Sequence, residues 1–150
     1  MNNLRQITIG NWQFVMKPNS EVLAENTCFR RTGEILPAGL EIFSASVPGN
    51  FELDLAKAGK LPEDLFHGAN ILQVQELECM HLWYFTEFRL GEDGIKAAAD
   101  SDVFLRFGGI DTAAEIYLDG ELIGTSENMF VPKEFRLSGD FLCAGAGSKH

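Results

Sequence analysis

Five carboxylates, Glu76, Glu78, Glu87, Asp111 and Glu115, have the side-chain type needed for acid–base chemistry. Two carboxyl groups ~5 Å apart, or ~6.5–9.5 Å apart, suit the retaining or inverting cleavage of a glycosidic bond. None of the five lies in a stretch that marks it as buried with a shifted pKa, and each reads as part of a solvated face or a turn. Asp111 follows Gly108-Gly109-Ile110 and precedes Thr112, so its side chain is expected to bond local backbone N–H groups at a bend. His67, His81 and His150 are the histidines. Glu78, Cys79 and His81 are close in sequence, but on a strand two of the three face apart, which argues against a metal site. The chain contains no G-x-S-x-G elbow and no glycine-rich phosphate loop. Trp12, Trp83, Tyr84 and Tyr117 have faces that can stack on the apolar CH face of a sugar, although rings of this kind also build cores. Asn70 and Asn128 fall in loops, where their amides can bond hydroxyls or serve as a helix cap and a turn residue.

The elements that must hold these residues are mostly short strands. Trp12 to Met16 alternates, with Trp12, Phe14 and Met16 on one face, and Pro18-Asn19-Ser20 reads as a turn. Val22 to Phe29 reads as a weak strand, Thr32-Gly33-Glu34 as a turn and Leu40 to Val47 as a strand. Asn50 suits the N-cap of a helix over Phe51 to Ala58, with Gly59 just past its end. Two helical turns do not persist alone, so this helix must close over apolar surface. Leu61 to Gly68 is an ordered loop. Ile71 to Glu78 fits either a helical turn, capped through Asn70 and Gln73, or a strand. Leu82 to Leu90 has apolar residues on both faces and is expected to be a central strand. A polar connection from Gly91 to Asp102, with a helical turn at Ala97 to Ala99, leads into the most regular stretch, Val103 to Gly124.

Val103, Leu105 and Phe107 share one face of a strand there, and Gly108-Gly109 breaks it. Asp119-Gly120 is a two-residue hairpin turn, which needs positive φ at both positions. That turn predicts the pairs Leu118 with Glu121, Tyr117 with Leu122 and Ile116 with Ile123, the last facing a core. A loop through Asn128 to Pro132 and a strand near Glu134 to Leu137 follow. Many short strands joined by turns and brief helices predict an all-β sandwich. The long insertion between Pro48 and Met80 favours jelly-roll connections.

The chain has 150 residues, of which 45% are hydrophobic, and twelve are Phe. That composition folds, and the length suits one domain, 1–150. With 22 acidic against 12 basic residues the formal charge is −10. Such a charge opposes nucleic acid and anionic membranes as partners. No apolar run approaches the ~18 residues of a membrane helix. The N-terminus has no secretory leader pattern, so a cytoplasmic location is expected. Cys28, Cys79 and Cys143 are odd in number and far apart, which predicts buried or reduced thiols rather than a disulfide frame.

Several pieces taken together carry a resemblance. They are Trp12-x-Phe14, Val47-Pro48-Gly49, Asp54-Leu55, Gly59-x-Leu61-Pro62, Phe66-x-Gly68-x-Asn70, Trp83-Tyr84, Phe88, LRFGGIDTAAEIYLDGELIG and Asn128-Met129-Phe130-x-Pro132. From about Trp12 to Leu137 the chain resembles the N-terminal jelly-roll, galactose-binding-like domain of glycoside hydrolase family 2, nearest to its β-mannosidase-like branch. The resemblance implies a sandwich domain packed on a catalytic (β/α)₈ barrel of an exo-glycosidase that removes terminal β-linked sugars such as β-mannosides. The family's catalytic glutamates lie in the barrel, which needs about 250 residues of its own. No catalytic residue is therefore carried over to this chain, and no cofactor or metal is implied. The expected partners are the barrel of the same protein and carbohydrate, with Asn70 and Asn128 as the candidate sugar contacts. A free-standing carbohydrate-binding module and the matching domain of a β-galactosidase- or β-glucuronidase-like enzyme are the alternatives. The family's later tryptophan- and aspartate-rich stretch and its G-x-N-x-L strand find no counterpart before His150. A fragment with an open sheet edge, prone to self-association, is the corresponding expectation.

Overall fold

A computed structural model describes residues 6–99 and 101–137 of the chain. It divides into two compact units, the first ending at Glu87 and the second beginning at Phe88.

The first unit is built on β1 (Gln13–Pro18), flanked by β2 (Phe43–Ser44) and β3 (Met80–Phe85) in the antiparallel order β2-β1-β3. Phe14 and Val15, on opposite faces of β1, are both fully buried. The central strand is therefore β1. The expected central strand at Leu82 to Leu90 ends at Phe85 and, among the described residues, pairs with β1 alone. Its continuation is held differently, since the Thr86 hydroxyl donates to the Gly10 carbonyl at 2.7 Å. The ring of Phe14 stacks on Phe43 at 5.2 Å and on Tyr84 at 5.4 Å, and Phe51 meets it edge-on at 6.4 Å. Leu55 completes the buried cluster.

The strand expected over Leu40 to Val47 contracts to two residues, and the hydrogen bonds give the reason. The Ala45 N–H still donates to the Trp12 carbonyl at 2.8 Å, but the next N–H, of Ser46, turns to the carboxylate of Asp54 at 2.7 Å. The expected weak strand after Pro18 is instead helix α1 (Asn19–Glu25). Lys17 forms ion pairs with Glu21 and Glu25 along it, and Asn26 closes it in the left-handed conformation. The expected turn at Thr32 is one turn of helix, α2 (Thr32–Ile35). Glu34 reaches back there to the N–H groups of Arg30 and Arg31, at 2.7 and 3.3 Å.

Helix α3 (Phe51–Lys57) forms as expected: the Asn50 side chain accepts from the Leu53 N–H at 3.0 Å, and Gly59 follows with φ of 73°. The ambiguous segment after Asn70 resolves as a helical turn, α4 (Leu72–Gln75).

In the second unit, α5 (Glu92–Ala99) leads to β4 (Val103–Phe107), which pairs antiparallel with β7 (Lys133–Leu137). Val103, Leu105 and Phe107 are half-buried on one face, while Phe104 and Arg106 are exposed on the other. Strands β5 (Ala114–Leu118) and β6 (Glu121–Ser126) form the hairpin, and Asp119 and Gly120 both have positive φ, 52° and 89°. Leu118 pairs with Glu121 and Tyr117 with Leu122 as predicted, but Ile116 pairs with Gly124. Ile123 is bulged out of the ladder. The Phe135 ring lies where a Gly124 side chain would stand: a Cβ there would be 2.0 Å from it, so only glycine permits that approach.

Candidate functional site

Both sequence-predicted amides sit in loops that they themselves help to fold. In the first unit, the Asn70 Nδ2 donates to the Asp64 carbonyl at 2.8 Å. The Asp64 carboxylate accepts from the Phe66 N–H at 3.0 Å, and buried Leu65 anchors the loop from beneath. Asn70 therefore braces the Asp64–Asn70 loop and does not cap α4 with its side chain. In the second unit, the Asn128 Oδ1 accepts from the Phe130 N–H at 2.9 Å, an Asx turn that sets the loop before β7.

The five candidate carboxylates are all exposed. Glu87 accepts from the Thr32 hydroxyl at 3.0 Å, Glu115 accepts from the Tyr117 hydroxyl at 2.6 Å, and Asp111 accepts from the hydroxyl of Thr112, not from the backbone N–H groups expected. His67 and His81 are exposed, and the His81 ring lies against Trp83 at 4.4 Å. Cys28 and Cys79 are free, in line with the expectation of buried or reduced thiols rather than a disulfide frame, and they are exposed rather than buried; Cys143 lies outside the described residues.

The aromatic candidates are engaged. Trp12 is half-buried and donates its indole N–H to the Ile9 carbonyl at 3.0 Å. Trp83 is packed by Phe29 at 4.9 Å as well as by His81. Tyr84 is 40% exposed, with its ring stacked on Phe14. Burial first, and then the negative charges of Asp54 and Glu52, push its hydroxyl pKa up to about 12.

One charged group was missed by the search for carboxylates. Asp54 on α3 is 4% exposed. It accepts from the Ser46 N–H and hydroxyl, both at 2.7 Å, and from the Lys57 ammonium at 3.0 Å. Burial works to raise its pKa, but these donors outweigh it and hold the carboxyl below its ordinary range. The signal was present in the spacing: Asp54 lies three residues after Phe51 and next to Leu55, on the face that α3 turns to the core. Beside it, an open hollow of about 550 Å³ is lined by Leu53, Ala56, Lys57, Gly59, Leu61 and Glu63. Its walls are mainly aliphatic, and it contains no pair of carboxylates.

Residues 12–145 match the family described as the glycosyl hydrolase 2 galactose-binding domain-like domain. The chain is also 35% identical over 111 residues, 73% of its length, to Beta-mannosidase B of Emericella nidulans. This chain belongs to the glycosyl hydrolase 2 galactose-binding-like domain family, and its strands with short helical connections are the β-sandwich, jelly-roll class of that family. The matched stretch spans 12% of the length of the Emericella enzyme.

Proposed function

We propose that this chain is the non-catalytic N-terminal sandwich domain of a β-mannosidase-like exo-glycosidase, where it braces the catalytic barrel and helps to wall the sugar pocket. The observation that carries the reading is the family match over residues 12–145, joined to likeness with a β-mannosidase. The exposure of Glu76, Glu78, Glu87, Asp111 and Glu115 supports the non-catalytic part, because an acid/base carboxyl needs burial or a close partner to tune its pKa. In this reading the whole protein hydrolyses terminal β-mannosides with retention, using carboxylates outside these 150 residues. Asn70 spends one Nδ2 hydrogen and Asn128 one Oδ1 lone pair on its own loop, so the sugar contacts proposed for them fall to the remaining donors and acceptors of each amide. We place the protein in the cytoplasm, on the two free thiols.

The test is an assay on aryl β-mannosides and β-galactosides, made with this chain and with the longer polypeptide that carries it. Hydrolysis of the β-mannoside by the longer protein alone is expected. Turnover by this chain, abolished by replacing one of its own carboxylates, sinks the reading. For the chain by itself we also propose weak pairing of copies along the outer edge of β3, which pairs on one side only among the described residues. Sedimentation as a monomer at every concentration would refute that part. An independent carbohydrate-binding module draws less support, since Trp12 and Trp83 are held by their own unit.

A further inference from the structure

Two loops repeat one construction. Asp64-Leu65-Phe66 and Asn128-Met129-Phe130 are each an Asx residue, an apolar residue and a Phe, and in each the Asx oxygen accepts from the Phe N–H. In both, the Phe side chain is 85% exposed. The backbones beneath are fixed. The first loop is tied by Asn70 and anchored by Leu65, as described above. The second is backed by Gly109, where a Cβ would come within 2.7 Å of the Met129 carbonyl. Met129 and Val131, on either side of Phe130, are exposed as well.

We infer that Phe66 and Phe130 are docking anchors, each preset by its Asx turn to enter an apolar pocket on the remainder of the same polypeptide. The inference rests on the reading above, that the chain is one domain of a longer glycosidase. Burying an exposed Phe side chain removes a large apolar surface from water. A tip already fixed by hydrogen bonds loses little entropy on docking, and rigid aromatic residues commonly dominate interface energetics. The occupant follows from three observations. The stretch matched to Beta-mannosidase B is 12% of that enzyme, so most of such a polypeptide is available to cover the tips. A formal charge of −10 opposes an anionic bilayer as the apolar partner. The side chains flanking Phe130, Met129 and Val131, are apolar and exposed as well, which suits a pocket of a protein.

Hydroxyl-radical footprinting read by mass spectrometry tests this on the present chain and on the longer polypeptide. Phe66 and Phe130 should oxidise readily in the chain alone and lose most of that oxidation in the longer protein. Leu23 and Leu36, also exposed, should react alike in both and serve as internal controls. Equal oxidation of the two Phe residues in both proteins overturns the inference, while hydrolysis of β-mannoside by the longer protein leaves the functional reading standing. A longer protein without glycosidase activity overturns that reading instead, and the footprint still reports whether the tips are covered. Protection that grows with the concentration of the chain alone, or that appears on adding manno-oligosaccharide, assigns the tips to a second copy or to sugar and also overturns the inference. As a second measurement, F66A and F130A should leave the melting temperature of the chain unchanged and lower that of the longer protein.

Discussion

Asp54 combines a net attractive environment with near-complete burial. Its donors all come from two short segments, Ser46 two residues past β2 and Lys57 one turn along α3, so the carboxylate ties the helix to the segment that follows β2. Because its folded pKa lies below the ordinary 3.8, the native state binds fewer protons than the unfolded chain. The stability it contributes is present above the unfolded value and is lost as pH falls through the lower, folded value. Asp54→Asn should destabilise the chain by about 1.5–3 kcal/mol near neutrality, the range for hydrogen bonds to a charged group. Urea midpoints measured against pH should also fall less steeply below pH about 4 in the variant, where the wild-type carboxylate is being protonated. Tyr84 has the opposite sign. Its pKa rises from 10.0 to about 12 on folding, so its contribution is present below the unfolded value and is lost as pH climbs between the two. Spectrophotometric titration should show one of the two tyrosines ionising late, and Tyr84→Phe should remove that late step and flatten the alkaline loss of stability.

Elements with redundant signals were the ones legible in the sequence. Helix α3 had an N-cap, an apolar face and a terminal glycine, and the Asp119-Gly120 turn had both residues that positive φ demands. The segment after Pro18 shows how a single signal misleads. Val22 and Leu23 suggest a strand, but the chain coils there, and Lys17 meets Glu21 and Glu25, which become its neighbours only once the helix has formed. Leu40 to Val47 failed for a different reason: the partner that ends the strand, Asp54, lies eight residues beyond Ser46 on the core face of α3, and nothing within Leu40 to Val47 itself announces it. The need for glycine at position 124 comes from outside the hairpin, from Phe135 on β7. That dependence is testable. Gly124→Ala would place a methyl inside the Phe135 ring position, 2.0 Å from its nearest atom. Overpacking of this kind costs about 1–3 kcal/mol. Denaturation should show that loss, and combining the change with Phe135→Leu, which removes the obstructing ring edge, should give less than the sum of the two single effects.

At the scale of the whole chain, the family was readable because its marks are spread from Trp12 to Pro132, and residues 12–145 match it. The candidate site was legible only in part. Asn70 and Asn128 were found as loop amides, but a sequence does not reveal that each spends a hydrogen bond on its own loop. The tryptophans were ambiguous for the same reason, since core packing and sugar stacking select the same side chain. Their surroundings now separate the two uses. Trp12 gives its indole N–H to Ile9, and Trp83 has Phe29 and His81 against its ring, so both indoles are engaged within their own unit. Titrating the chain with mannose, galactose and manno-oligosaccharides should therefore leave tryptophan emission unchanged in intensity and wavelength. In the longer polypeptide, the same titration should show saturable binding if the pocket is completed by the barrel. A saturable change in this chain alone, lost on Trp83→Phe, would instead make the domain a sugar binder in its own right and remove the need for a barrel to finish its pocket.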